Sequence, residues 1–246
     1  MEKKNDLVYI LGKESAWLNN ELRYSLRSVE KYLKNYRNVF VFGECPHFLD
    51  TNNIIHVPNA DTSHDKAINI KNKLVAICSH ADVSEDFMFF NDDYFLMSEV
   101  DASNYPYQYK CDLNHSASIN RTIYREHVIS TIDVLKEKGL SLNNFDTHKP
   151  IIYNKEKLMN VIFQYRWDRK FNYVMRSLYC NTLGIEGILV PDCKINIPMP
   201  LQRWKDKTRV DCFSISDRAI NLNFKTFIDN EFHQPCRFER SLPPVR

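Results

Sequence analysis

Glycine is scarce in this chain, with only 5 in 246 residues. That rules out a glycine-rich phosphate cradle. The one early candidate, Gly12-Lys13-Glu14-Ser15, matches neither a P-loop nor a G-x-G-x-x-G turn. The 7 cysteines, an odd count, contain no C-x-x-C pair and no metal-finger spacing. This excludes a zinc ribbon or a disulfide framework and points to reduced, mostly buried thiols in a cytosol-like compartment. Long apolar runs are also missing, and nothing approaches the roughly 18 residues a membrane span needs. The N-terminus, Met-Glu-Lys-Lys-Asn-Asp, leads into a short apolar run unlike a signal peptide. We therefore expect a soluble, cytoplasmic protein with no membrane partner. Repeats and low-complexity segments are absent as well.

Hydrophobic residues make up 43%, enough for a sizeable core in a single α/β domain. The net charge of +2 is unevenly spread: residues 1–150 carry 17 Lys/Arg against 21 Asp/Glu, and residues 151–246 carry 16 against 10. A basic second part suits a polyanionic or phosphorylated partner, although a solvated basic surface gives the same imbalance.

The stretch Asp86–Met97 organises the reading. Phe87–Phe90 is a continuous apolar run, as in a strand buried on both faces. It breaks at Asn91-Asp92-Asp93, and a second apolar group, Tyr94–Met97, follows. Adjacent carboxylates between apolar runs are costly to bury unpaired. Mg²⁺ or Mn²⁺ would offset that cost, because both take oxygen ligands and share them with substrate phosphates. A solvated turn is the simpler alternative.

Upstream, Leu7–Leu11 reads as a strand, then a helix runs from Asn19 or Asn20 to about Asn35 with Leu22, Leu26, Val29 and Leu33 on one face. Val39–Phe42 and Ile54–Val57 are further strands. Strand, helix, strand with short links is the pattern of a parallel sheet. Asp65–His80 is the next helix, with Ile70, Leu74 and Ile77 inward and Lys66, Asn69 and Lys73 on an adjacent polar stripe. Lys66 in the first turn opposes the helix dipole, which a bound anion would explain. In an open α/β sheet the ligand lies at the carboxyl ends of the strands. That edge would gather Gly12–Ser15, Asp92 and Asp93. Downstream we expect a helix at Arg121–Lys138, a loop at Phe145–Pro150, a strand at Ile151–Tyr153 and helices near Lys155–Tyr165 and Phe171–Thr182. Late strands follow at Ile188–Val190 and Cys212–Ile215, with a basic loop at Pro198–Arg209 between them. A poorly ordered tail is expected from about residue 234.

Two segments taken together resemble a known group. Glu21-Leu-Arg-Tyr-Ser-Leu-Arg-Ser-Val-Glu-Lys-Tyr-Leu33 and Phe89-Phe-Asn-Asp-Asp-Tyr-Phe-Leu96 resemble the Stealth-type sugar-phosphate transferases. They are equally similar to bacteriophage GT-A glycosyltransferases, some of which are associated with modified DNA bases. The resemblance runs from Asp6 to about Pro150. It implies a GT-A-like, Rossmann-like, mostly parallel sheet flanked by helices, followed by a basic α/β C-terminal part. It also implies a UDP-sugar donor and a divalent metal, Mn²⁺ or Mg²⁺, held by Asp92 and Asp93. His148-Lys149-Pro150 is similar to the His-x-Pro segment after the Stealth core, which would set His148 near the reacting groups. His64-Asp65-Lys66 and Asn69 resemble the donor-binding helix of the phage enzymes. The first strand departs from the pattern, since it ends in Leu-Gly-Lys-Glu-Ser where Stealth proteins have Trp-Val-Asp-Gly. The chain is also short for a Stealth transferase.

The leading expectation is a metal-dependent glycosyltransferase. Its donor side would use Gly12, Lys13, Ser15, Arg23, Asp65, Lys66, Asn69 and Asp92, and its base would be Asp93, His148 or Asp146. A donor part at 1–150, an acceptor-side part at 151–233 and a tail at 234–246 would form one domain. The acceptor side would use Arg203, Trp204, Lys205, Lys207 and Arg209, because basic residues interleaved with aromatics suit a phosphate backbone and an unstacked base. The expected acceptor is DNA carrying a hydroxymethylated pyrimidine, in the host cytoplasm for a phage-encoded chain. A sugar-1-phosphate transferase acting on a surface polysaccharide and a non-catalytic nucleotide or nucleic-acid binding module are the competing classes.

Overall fold

The computed structural model describes residues 4–13, 15–168 and 170–240. In chain order its elements are β1 (Asn5–Leu11), α1 (Asn20–Tyr32), β2 (Leu33–Lys34), β3 (Tyr36–Gly43), β4 (Ile55–Pro58), α2 (Lys66–Ser79) and β5 (Asp86–Asn91). Then come β6 (Tyr94–Leu96), β7 (Val100–Asp101), β8 (Gln108–Tyr109), α3 (Leu113–Ile119), α4 (Ile123–Glu137), β9 (Ile151–Asn154) and α5 (Lys155–Gln164). The last are α6 (Met175–Thr182), β10 (Ile188–Leu189), β11 (Lys194–Ile195), α7 (Leu201–Lys207), β12 (Cys212–Ile215) and α8 (Leu222–Glu231).

The central sheet has the order β4-β3-β1-β5-β9. Its first four strands are mutually parallel, and only β9 runs antiparallel, against β5. The strands are apolar throughout because both faces are covered. Leu7, Tyr9 and Leu11 of β1 and Met88 and Phe90 of β5 pack toward α1, on Leu22, Leu26 and Val29. Val8, Phe87 and Phe89 point the other way, into a core with Leu74 and Ile77 of α2 and with α4 and α5. Each fully buried Leu or Phe stabilises the fold by about 1.5–3 kcal/mol. The expected mostly parallel α/β sheet is therefore present.

β6 leaves this sheet. It pairs antiparallel with β12, and β12 pairs with β11, forming a second sheet of order β11-β12-β6. A third core of Phe95, Trp204, Phe213, Phe224 and Phe227 lies under it. Gly43 ends β3 at φ 131°, where a Cβ would sit 1.9 Å from the Leu11 carbonyl oxygen, so this strand end demands glycine.

Three expectations about the second part need correction. Pro198–Arg209 is not a loop: residues 201–207 form α7, anchored by Trp204, which is 0% exposed. The helix expected from Phe171 begins only at Met175. The expected tail is largely packed, at least to Arg240. Cys236 and Phe238 are buried, Leu49 and Glu239 form an antiparallel bridge, and Arg27 grips Glu239 at 2.6 and 2.9 Å. Apolar side chains in a short polar segment had a partner that the linear sequence did not reveal. Residues 241–246 lie outside the described residues.

Candidate active site

The chain changes sheets at Asp92-Asp93. Asn91 still pairs with Ile10 of β1, and Tyr94 already pairs with Ser214 of β12. The carboxylates therefore stand at the carboxyl edge of the central sheet, where the two sheets diverge. Asp93 Oδ2 accepts a hydrogen bond from Ser214 Oγ at 2.7 Å and pairs with Lys194 Nζ at 3.3 Å. Lys194 and Ser214 reach it together because they are register partners. Burial pushes the Asp92 carboxyl up to about 7, and the negative charges of Asp93 and Glu21 add to this. Glu21 is 4% exposed and is itself raised by burial. The Ser15 hydroxyl holds it at 2.9 Å.

The Phe145–Pro150 loop forms the second half. His148 adopts φ 56°, a left-handed conformation that costs a non-glycine residue energy. Its Nδ1 lies 2.9 Å from Asp192 Oδ1, and the other Asp192 oxygen accepts from Lys110 Nζ at 2.7 Å. Burial would raise the Asp192 carboxyl, but the hydrogen bond and charge of His148 and the Lys110 charge hold it below the usual range. Asp146 behaves alike: burial opposes its charge, and His148, Lys110 and Arg176 more than compensate, so it is held well below the carboxylate range. Arg176 is buried, donates to the Lys149 carbonyl and lies 5.5 and 5.4 Å from the ring centroids of Phe89 and Tyr94. Lys149 itself is tied to Asp211 at 2.6 Å. Lys194 links the halves. Burial disfavours its charge, but Asp93 above all, then Asp146 and Asp192, raises it.

Asp92, Asp93, Asp146 and His148 are thus brought into one electrostatic neighbourhood. Four of the eight expected donor residues have protein partners. Ser15 accepts the Asn19 backbone N–H at 2.7 Å and shapes the entry to α1. Arg23 covers the Phe48 ring at 4.5 Å and pairs with Glu239 at 3.4 Å, on the packed C-terminal segment. Asp65 caps α2 through the Ala67 N–H at 2.8 Å and accepts from Asn172 Nδ2, also at 2.8 Å. Asn69 accepts the backbone N–H groups of Thr62 and Ser63 at 3.1 and 2.9 Å, bracing the loop before its helix. These four side chains hold local structure. Gly12 and Lys13 are exposed at the sheet edge, and Lys66 is exposed in the first turn of α2. Lys73, expected on the same polar stripe, is 3% exposed and paired with Asp61.

The expected acceptor residues split. Trp204 packs against Phe224 and Phe227 and donates to the Met199 carbonyl at 3.2 Å, so it is no stacking platform for a base. Arg203, Lys205, Lys207 and Arg209 are exposed. Lys205 and Arg209 line a cleft of about 670 Å³ with Met97, Val210 and Phe227. Met97 lies four residues past Asp93, about 13 Å along an extended strand.

Asp192, Lys194, Arg176 and Ser214 were missed by sequence reasoning. No local motif marks them. Ser214 and Lys194 reach Asp93 because β12 pairs with β6 and β11 with β12. Asp192 lies two residues before Lys194, and Arg176 comes from α6 to lie beside Phe89 and Tyr94. Carboxylate oxygens suit a divalent cation, but Asp93 already has Lys194 at 3.3 Å and Ser214 at 2.7 Å. Among the described residues no group of three or more His, Cys, Asp or Glu is placed to hold a metal. Two adjacent carboxylates supply only part of a cation's oxygen shell, and the rest would have to come from substrate phosphate and water.

Residues 17–113 match the family model described as Stealth protein CR2, conserved region 2. No curated protein matches the sequence. The fold is similar to that of LgtC, seen in an active-site mutant at 11% identity, TM-score 0.50, covering 97% of this chain and 98% of that one. A second LgtC structure, a galactosyltransferase with donor and acceptor sugar analogues, matches at 10% identity and TM-score 0.49, covering 94% and 98%. Mouse xyloside xylosyltransferase 1 matches at 11% identity and TM-score 0.46, covering 89% and 100%. Residues 17–113, less than half of the chain, are thus similar to Stealth conserved region 2, and the fold as a whole is similar to the α/β fold of LgtC.

Proposed function

We propose that the protein transfers a sugar from a nucleotide-sugar donor, UDP-linked, to a hydroxyl acceptor. The observation that carries this reading is the Asp92-Asp93 turn at the sheet's carboxyl edge, joined through Lys194 to the His148–Asp192 pair. Asp92 and Asp93 would hold Mn²⁺ or Mg²⁺, which supplies Lewis-acid charge to the donor diphosphate. Lys194 offers a second positive charge to the leaving nucleotide. With Nδ1–H donated to Asp192, His148 keeps Nε2 free to take the proton of the acceptor hydroxyl. Asp146, held ionised, favours the imidazolium that results. The acceptor oxygen then bonds to the anomeric carbon, and the bond from that carbon to the diphosphate oxygen breaks.

The Stealth match favours a second reading, transfer of sugar 1-phosphate. There the acceptor oxygen attacks the phosphorus beside the sugar and the nucleoside monophosphate leaves. Incubation with a panel of nucleotide sugars and hydroxyl acceptors separates the readings: released diphosphate supports glycosyl transfer, and released monophosphate supports the alternative. No nucleotide release with any pair, together with metal-independent donor binding, would reduce the protein to a binding module. For the acceptor we keep hydroxymethylated DNA. Its support is now the exposed Arg203, Lys205, Lys207 and Arg209, without Trp204.

A further inference from the structure

β6 is hydrogen-bonded to β12 on one side only, and the strand that leaves the Asp turn would have an open edge on the other. Helix α1 fills it with side chains. Ser25 Oγ donates to the Tyr94 carbonyl at 2.5 Å, and the Leu96 N–H donates to Ser28 Oγ at 3.0 Å. Ser25 has given its proton to Tyr94, so the 2.8 Å contact with Tyr9 must run from the Tyr9 hydroxyl to Ser25 Oγ. Ser28 Oγ in turn donates to the Ser25 carbonyl at 2.7 Å. All three hydroxyl-bearing residues are 0% exposed. Polar groups at that depth persist where each has a defined partner. Glu21 lies on the same stripe, at i, with Ser25 at i+4 and Ser28 at i+7, and is almost as deeply buried.

We infer that Glu21, Ser25 and Ser28 form one positioning stripe: the serines fix where β6 starts, and so where the Asp92-Asp93 carboxylates point, while Glu21 is carried to the same turn. Helix α1 does what a neighbouring strand does elsewhere, with side-chain hydroxyls in place of backbone groups. A serine is the side chain that can do this at close range, being small, polar and able to donate and accept at once. The inference rests on the transfer reading only for its kinetic consequence.

The test uses Ser25→Ala and Ser28→Ala in the full chain, with Ser28→Cys as a milder variant that nearly keeps the volume. Ser116→Ala is the control, because Ser116 is 1% exposed and lies on α3, and its hydroxyl accepts from Asn120 Nδ2 at 3.3 Å rather than holding β6. Assays run well below each variant's melting temperature. Both alanine variants should lose roughly tenfold or more in kcat, as misplaced catalytic groups do. In Ser28→Ala hydrogen exchange in the 91–97 peptide should speed up by a similar factor, since Leu96 loses its acceptor; in Ser25→Ala the Tyr94 carbonyl loses its donor, and exchange there should rise as the strand start loosens. Ser28→Cys should fall between, and Ser116→Ala should change neither. A kcat within twofold of the parent and unchanged exchange at 91–97 in both alanine variants would overturn the inference. The exchange arm needs no turnover, so a failure of the transfer reading would not hide a failure of this one.

Discussion

Glu239→Ala tests how the C-terminal segment is held. Glu239 takes both oxygens to Arg27, at 2.6 and 2.9 Å, accepts the Cys236 N–H at 3.1 Å and lies 3.4 Å from Arg23. The side chains of Arg27 and Glu239 are 10% and 8% exposed, so solvent screens the pair weakly. Removing one partner of such a pair leaves a buried charge and costs about 3–5 kcal/mol. Arg27 keeps the Phe232 carbonyl at 2.9 Å, which argues for the lower end. At about 2–4 °C per kcal/mol for a chain of this size, the melting temperature should fall by roughly 6–12 °C. Circular dichroism at pH 7 would read it, and 0.5 M salt should change the difference little, because the pair is shielded from the ionic atmosphere. Adding Arg27→Met should recover part of the loss, since the orphaned cation goes too. A shift under about 2 °C would refute the reasoning and mean that apolar packing and the backbone bridge at Leu49 hold the segment.

Asp92→Asn has a sign fixed by its pKa. The folded carboxyl is raised to about 7. Its charge is therefore a penalty that is absent below the unfolded value of about 3.9 and complete only above the folded one. The substitution should raise the melting temperature at pH 8 and leave it unchanged at pH 4; equal effects at both would show that the Asp92 charge is not penalised by burial. Asp93→Ala should abolish Mn²⁺-dependent donor binding in calorimetry while far-ultraviolet circular dichroism stays native, and retained affinity would remove Asp93 from the metal site. Asp192→Asn removes a charged hydrogen bond from His148, worth about 1.5–3 kcal/mol, so kcat should fall roughly ten- to a hundredfold with donor KM little changed. An unchanged kcat would show that His148 is not the base. Replacing Arg203 and Lys205 by Ala should flatten the slope of log DNA affinity against log salt by about two. No transfer to hydroxymethylated DNA, with an unaltered slope, would direct the search to other hydroxyl acceptors.

Periodicity worked where an element meets one continuous core. The strands around Leu7–Leu11, Val39–Phe42 and Phe87–Phe90 were legible because both sheet faces are apolar, and α4 because Val128, Ile132 and Leu135 recur on one face. It failed where burial depends on a distant partner. Trp204 between basic neighbours looked like a surface platform, yet α8 and β12 close over it. Arg23, Asp65 and Asn69 carry the side chains a donor site wants, but the same chemistry also caps helices and braces loops, and here protein partners are nearer.

The sequence by itself determined the sheet, its flanking helices, the Asp92-Asp93 break and the candidacy of His148 and Asp146. The first three are local, an apolar run, an amphipathic stripe and a carboxylate pair between two apolar runs; His148 came from the resemblance of His148-Lys149-Pro150 to the Stealth His-x-Pro segment. Tertiary structure alone decided that β6 swings into a second sheet. Through it Lys194 and Ser214 reach Asp93 from about a hundred residues away, Asp192 orients His148 and the serines of α1 pin the turn. Such contacts depend on strand register and helix docking, which are set by packing of the whole core and leave no spacing in the chain to read.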